Sequence, residues 1–122
     1  MRADELTGDD GVVFLEPSAA ALRDQQGLVV DLRTGDGVTT VTVTGEIDMA
    51  TASTLRASLE GLSGAIVLDL RQTTFLGSTA IALFVETQKR LTAQRGRLRL
   101  RSPQAFPRRI LEIVGLETWT EE

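Results

Sequence analysis

The sequence lacks cysteine and histidine altogether, and its 122 residues include three prolines and one tryptophan. The absence of cysteine excludes disulfides and thiol nucleophiles, and the absence of histidine removes the most frequent general base and the acceptor of phosphohistidine. Together the two absences remove the usual zinc ligands. Because most common catalytic machineries are thereby excluded, we predict that the chain is not an enzyme and needs no cofactor.

Long apolar runs and excess positive charge are also missing. No apolar stretch approaches the roughly 20 residues that span a bilayer, and residues 1–5 are too acidic and polar for a secretory signal. The formal net charge is −4, whereas nucleic acids and anionic membranes favour positively charged partners. We therefore expect a cytoplasmic protein that contacts neither nucleic acid nor membrane and binds a protein of basic or mixed charge.

The length and composition, with 42% hydrophobic and 25% charged residues, suit one compact domain. Residues 1–26 are polar, rich in aspartate and interrupted by glycine and proline, so we interpret them as an N-terminal extension with partial order at most. Within it, Ala19–Arg23 could form one or two helical turns. The domain itself is predicted over residues 27–122.

The hydrophobic pattern of the domain alternates between strand and helix periodicity. The prediction is an α/β fold with a mixed β-sheet of about four or five strands and three or more helices packed on it. Strands are predicted at Leu28–Arg33, Val38–Thr44, Ala65–Leu70 and Arg97–Arg101, and helices from about Ala52 to Leu62, Ser78 to Ala93 and Phe106 to Val114. A loop is predicted between Arg71 and Gly77, and the glycines at 35 and 37 indicate a hairpin turn.

Ser78 and Thr79 open the predicted second helix directly after the loop. A phosphate on a hydroxyl at this position would meet the backbone N–H groups and the positive end of the helix dipole. A protein packed against the same corner would instead have to desolvate the added charge. The alternative interpretation is that Ser78 simply caps the helix.

Two carboxylates, Glu46 and Asp48, follow the second predicted strand. With Asp69 they could form an acid–base or metal site if all three converged in a pocket. The alternative is that Asp48 is a turn carboxylate that caps the next helix.

Three further features carry alternatives. The arginines at positions 95, 97, 99 and 101 could bind phosphate groups, or they could protect an exposed edge strand from pairing. The second helix has an unusually wide apolar arc, whose members Ile81, Leu83 and Val85 are either core or the centre of a binding patch. Trp119 could fold back onto the core or serve as a contact.

Three segments in this order resemble the STAS domain of bacterial anti-anti-sigma factors, over roughly residues 28–118. They are Gly-Glu-Ile-Asp at 45–48, Ile-Val-Leu-Asp-Leu at 66–70 and Phe-Leu-Gly-Ser-Thr-Ala-Ile at 75–81. The resemblance implies that Ser78 is the phosphorylated serine, with Thr79 as the second choice. It also implies a partner-binding surface composed of Glu46, Asp48, Gly77, Ser78, Thr79 and Ile81. The chain departs from the family pattern at Gly77, where aspartate is frequent, and at Ala80, where glycine is frequent.

The mechanism implied by the resemblance is partner switching. The unphosphorylated protein would bind an anti-sigma factor that is also a GHKL-type serine kinase and so release a sigma factor for transcription. Phosphorylation would turn binding off, and a metal-dependent serine phosphatase would restore it. The chain has no phosphate-binding loop motif, so ATP would belong to the kinase. We expect a monomer or weak dimer; the alternative is an unphosphorylated scaffold or regulatory subunit of a stress-signalling or transport assembly.

Overall fold

The computed structural model describes residues 12–16, 19–23 and 26–121. Its strands are β1 Val12–Glu16, β2 Ala19–Arg23, β3 Val29–Gly35, β4 Val38–Ile47, β5 Ala65–Asp69, β6 Thr73–Leu76, β7 Arg97–Arg101 and β8 Thr120–Glu121. Its helices are α1 Ala52–Glu60, α2 Ser78–Ala93 and α3 Ala105–Ile113, followed by a 3-10 helix at Glu117–Trp119. The predicted α/β fold, a mixed sheet with three helices, is confirmed, and the described residues form eight strands rather than the four or five predicted.

The strands form one sheet in the order β1-β2-β3-β4-β5-β7-β8, with β6 beside the end of β4. Neighbours from β1 to β4 are antiparallel, and the pairs β4–β5, β5–β7 and β7–β8 are parallel. The predicted hairpin between β3 and β4 is confirmed, and Asp36 and Gly37 turn it with φ angles of 54° and 77°. Positive φ at both central positions matches the twist of the flanking strands.

The predicted helical turns at Ala19–Arg23 are wrong, because this segment is strand β2. It pairs antiparallel with β3 along its whole length, and β1 pairs with β2 in turn. The alanines favour a helix locally, but a helix of one or two turns is marginal in water. Pairing with β3 on one edge and β1 on the other instead gives backbone groups on both edges of β2 a partner. The sheet thus begins within the predicted extension, and the domain boundary near residue 27 stays a prediction.

The loop predicted between Arg71 and Gly77 is also wrong in part, because Thr73–Leu76 forms β6. Strand β4 pairs with β5 only over Val38–Thr42, and β4 continues beyond this pairing to Ile47. Strand β6 occupies this free edge, where it pairs in parallel with Gly45–Ile47. The buried Thr73 hydroxyl donates a hydrogen bond of 2.8 Å to the Val43 carbonyl and fixes the strand there.

The core lies between the sheet and its helices. Ile66, Val67 and Leu68 of β5 are buried, as is typical of a strand in the interior of a covered sheet. The largest fully buried side chains are Phe84, Leu28, Ile47, Leu55, Leu59, Ile66, Leu68, Leu70, Leu83, Leu91, Leu98 and Leu100. They come from β4, β5 and β7, from α1 and α2, and from Leu28 and Leu70 next to the strands, so both helices pack against the sheet.

The C-terminal segment folds back on the domain. Trp119 is partly buried and packs against the core, and β8 pairs with the end of β7. Arg99 donates to the carbonyls of Thr118 and Thr120, and Arg101 pairs with Glu121 at 3.2 Å. The interpretation of β7 as an exposed edge strand is therefore wrong at its C-terminal end, since two of its arginines hold the last strand.

None of the helices in the described ranges is long and apolar enough to cross a membrane.

Candidate functional site at the start of helix α2

Ser78 is the first residue of α2 and is exposed. The residue before it, Gly77, is the N-cap and keeps an extended conformation with φ −89° and ψ 177°. The Gly77 amide donates to the Ile47 carbonyl at 2.8 Å, and the Gly77 carbonyl accepts from the amides of Ala80 and Ile81. The interpretation of Ser78 as the helix N-cap is therefore wrong. The hydrogen bond to β4 keeps Gly77 extended, and Gly77 is the N-cap.

The position of Ser78 suits a phosphate physically. The amides of Ser78 and Thr79 belong to the first turn, where N–H groups have no acceptor within the helix. The same turn carries the positive end of the helix dipole, which stabilises an exposed anion by roughly 0.3–1 kcal/mol. A phosphate on Ser78 would therefore be tolerated by the folded chain.

Thr79 differs from Ser78 in access. Its hydroxyl oxygen is buried and has no hydrogen-bond partner among the described residues. A kinase has to bring ATP within bonding distance of the acceptor oxygen, which burial prevents without a local opening of the helix. The difference favours Ser78 over Thr79 as a phosphoacceptor.

Asp48 lies beside this corner and stabilises the turn into α1. Its carboxylate accepts hydrogen bonds from the amides of Ala50 and Thr51 at 2.9 and 3.1 Å. The Thr51 hydroxyl donates to the Glu46 carbonyl at 2.6 Å and accepts from the Asp48 amide at 2.9 Å. Asp48 thus has the structural role of a turn carboxylate, while the Glu46 side chain is exposed.

The carboxylates do not converge as an acid–base site would require. Asp69 pairs with Thr42, four residues before Glu46 on the same strand, which is about 13 Å along β4. Among the residues that the structure describes, no group of three acidic side chains could hold a metal ion. The geometry required by the enzymatic alternative is not present in this part of the chain.

The wide apolar arc of α2 is divided between core and rim. Leu83 is buried, and Ile81 and Val85 are partly buried and pack against the core. Ile81 lies one helical turn after Ser78 and on the same face of α2. Of the three candidates for the centre of a binding patch, Ile81 is thus the nearest in sequence to Ser78.

Sequence reasoning missed the most exposed apolar side chains around this corner. Met49 directly follows Asp48 and is 84% exposed. Phe106, the first residue of the predicted third helix, is 51% exposed, and its ring stacks on Phe75 with centroids 5.8 Å apart. The signal in the sequence is the second apolar face of α3, because a helix needs only one face to pack against the sheet.

The space around Gly77 accepts a side chain. A Cβ atom there would lie 3.4 Å from Phe75 Cε2 and 3.5 Å from Asp48 Cα, which are ordinary van der Waals contacts. We expect Gly77→Ser to raise the free energy of unfolding by a few tenths of a kcal/mol, because serine caps a helix slightly better than glycine. Urea denaturation measures the difference.

Gly77→Ala is the matched control, since it adds the same Cβ without a capping oxygen. We expect it to lower the free energy of unfolding by about 0.5–1 kcal/mol, because alanine is a poor N-cap. Equal stabilities of the serine and alanine variants would contradict the role of residue 77 as the cap.

The model of the STAS domain family matches residues 29–120. An anti-sigma factor antagonist from Mycobacterium paratuberculosis has 29% sequence identity and a TM-score of 0.70, over 80% of this chain and 86% of that one. No curated protein matches the sequence.

Two forms of SpoIIAA have a similar fold. The anti-sigma factor antagonist SpoIIAA in its unphosphorylated form has 20% identity and a TM-score of 0.68, over 75% of this chain and 85% of that one. The Bacillus cell fate determinant SpoIIAA in its phosphorylated form has 21% identity and a TM-score of 0.62, over 75% of this chain and 88% of that one. At these identities the likeness is one of fold.

Proposed function

The chain belongs to the STAS domain family, and on that premise we propose that it is an anti-sigma factor antagonist switched by phosphorylation of Ser78. In its unphosphorylated form it binds an anti-sigma factor that is also a GHKL-type serine kinase, and the sigma factor is released. The kinase supplies ATP and a metal-dependent phosphatase resets the switch. The chain itself performs no catalysis, and a cytoplasmic location stays a prediction.

One observation carries the proposal: an exposed serine hydroxyl stands at the first position of a helix whose cap is the preceding residue. Ser78 thus combines access for a kinase with a helix terminus that accepts the product. Thr79, the second choice, has a buried hydroxyl. This difference supports modification at Ser78.

The surroundings of Ser78 support a protein contact. Glu46 and Met49 are exposed on the β4–α1 side, and Ile81 is partly exposed on α2 itself. An apolar side chain beside a carboxylate is suited to a partner of mixed surface character. Addition of roughly −1.5 to −2 charge units at Ser78 would place a strongly hydrated group inside that contact. We infer that this desolvation cost is the switch.

The test is the intact mass of the protein after incubation with ATP and each purified GHKL-type kinase from the same cell. We expect one added phosphate on the wild type and on Thr79→Val, and none on Ser78→Ala. Thr79→Val is the matched control because it removes only the buried hydroxyl.

The same incubation separates the alternatives. Loss of the phosphate in Thr79→Val but not in Ser78→Ala would assign the switch to Thr79. Tight binding to a kinase without phosphorylation would indicate a permanent antagonist. Neither binding nor phosphate with any such kinase would favour the scaffold alternative and overturn the proposal.

A further inference from the structure

A groove of about 460 Å³ lies between one face of α2 and the C-terminal segment. Its wall on α2 consists of residues that recur at spacings of three and four, and its other wall is Trp119. The lining residues are Val85, Gln88, Lys89, Thr92, Ala93 and Trp119. The volume lies within the range of small-molecule sites, which runs from about 300 to 1,000 Å³.

The surface of the groove is mostly apolar, although a glutamine lines it. The Gln88 side-chain amide donates a hydrogen bond of 3.0 Å to the Leu98 carbonyl and accepts one of 2.8 Å from the Leu98 amide. Because β7 occupies both polar ends of this side chain, Gln88 brings no unpaired polar group to the groove. Water in the groove thus finds few partners, and an apolar ligand displaces it favourably.

Trp119 is held in place without a ligand. Its backbone amide donates to the Leu116 carbonyl at 3.0 Å. The residues on either side, Thr118 and Thr120, accept hydrogen bonds from the Arg99 guanidinium at 3.4 and 3.3 Å. The Trp119 side chain is partly buried and packs against the core. Since this wall is already ordered, a ligand that binds against it has a smaller ordering cost.

Lys89 is the one charged residue among the six that line the groove, and it is the only lysine of the chain. It is exposed and forms no ion pair with any residue that the structure describes. Glu86, about one turn earlier on α2, is paired with Arg56 of α1 instead. A negative group bound beside Lys89 therefore meets a cation that no described carboxylate already neutralises.

We propose that this groove binds a small amphiphile with an aliphatic tail and a carboxylate, such as a medium-chain fatty acid. The tail lies against Val85, Ala93 and Trp119, and the carboxylate pairs with the Lys89 ammonium group. The groove begins seven residues after Ser78, which is about 11 Å along α2. It is a second site, and its occupancy does not depend on the proposed function.

The test is a titration of the full chain with octanoate, with Trp119, its only tryptophan, as the fluorescent reporter. We expect a saturable blue shift and weaker quenching by acrylamide, because the ligand covers the indole ring. The expected dissociation constant is on the order of 1 mM for a ligand of this size. Octan-1-ol, with the same tail and no charge, is the matched probe.

Two pairs of variants locate the site. Lys89→Gln should weaken octanoate binding about threefold to fivefold, the upper part of the range for an ion pair open to solvent, and leave octan-1-ol binding unchanged. Lys89→Arg keeps the charge and should retain octanoate affinity. Ala93→Phe fills the groove with a ring and should abolish binding of both probes. Ala57→Phe makes the same change at an exposed alanine of α1 outside the groove and should bind both as the wild type does.

The opposite results overturn the inference. A fluorescence change that rises without saturation, or that persists in Ala93→Phe, would exclude the groove as the site. Equal losses for octanoate and octan-1-ol in Lys89→Gln, or no loss for octanoate, would exclude the pairing of the carboxylate with Lys89.

Discussion

Ser78→Glu is expected to bind the anti-sigma kinase about a hundredfold more weakly than the wild type, and the phosphorylated protein at least as weakly. The reason is desolvation: a charge left unpaired inside a protein contact costs about 2–5 kcal/mol, and a hundredfold change in affinity corresponds to about 2.7 kcal/mol. Titration calorimetry of the purified pair measures the change.

The same substitution should leave the folded chain as stable as before. Ser78 is exposed at the positive end of the α2 dipole, where a negative charge stabilises by roughly 0.3–1 kcal/mol. We therefore expect the urea midpoint of Ser78→Glu to equal or exceed that of the wild type. Binding and stability changing in opposite directions would distinguish a switch from damage to the fold.

Ser78→Gln is the matched control, because glutamine has the size of glutamate without its charge. We expect it to keep most of the affinity, with Ser78→Ala as the smallest neutral variant. If Ser78→Gln and Ser78→Glu lost affinity equally, bulk and not charge would act at this corner, and the electrostatic account of the switch would be contradicted.

Local patterns in the sequence predicted the elements that depend on local interactions. The predicted limits of the second helix, Ser78 and Ala93, equal those of α2, because its apolar periodicity is long, Gly77 directly precedes it and Gly96 follows shortly after it. Strands β2 and β6 were missed for the opposite reason. Strand β6 forms only because β4 continues beyond its pairing with β5, a fact of tertiary structure that no short window of sequence contains.

The candidate site, too, was predictable from the sequence only in part. The motif around Ser78 identified the residue. That Gly77 and not Ser78 caps the helix depends on the hydrogen bond between the Gly77 amide and the Ile47 carbonyl, which the motif does not predict. The burial of the Thr79 hydroxyl likewise depends on how α2 packs. For the helix predicted from Phe106 to Val114, the sequence did not determine which apolar side chains pack inward, and the structure shows that Phe106 and Ile113 stay exposed.

Gly96→Ala is expected to lower the free energy of unfolding by about 2–3 kcal/mol, within the range for forced backbone shifts in a packed region. A Cβ atom at position 96 would lie 2.3 Å from the Gly64 carbonyl oxygen and 2.9 Å from its carbon. That oxygen accepts a hydrogen bond of 3.0 Å from the Arg97 amide at the start of β7. The added methyl group therefore forces apart the residues that directly precede β5 and β7.

Gly61→Ala is the control for this prediction. Gly61 ends α1 with φ −86°, and a Cβ atom there meets no heavy atom within 4 Å. Because alanine adopts this conformation without strain and restricts the unfolded chain, stability should stay equal or rise by up to about 1 kcal/mol. Urea denaturation of both variants gives the comparison, and equal midpoints would contradict the close approach of Gly96 to Gly64. Since the turn at Gly96 joins α2 to β7, opposite to the end that carries Ser78, the loss should appear in stability and leave kinase binding by the folded protein unchanged.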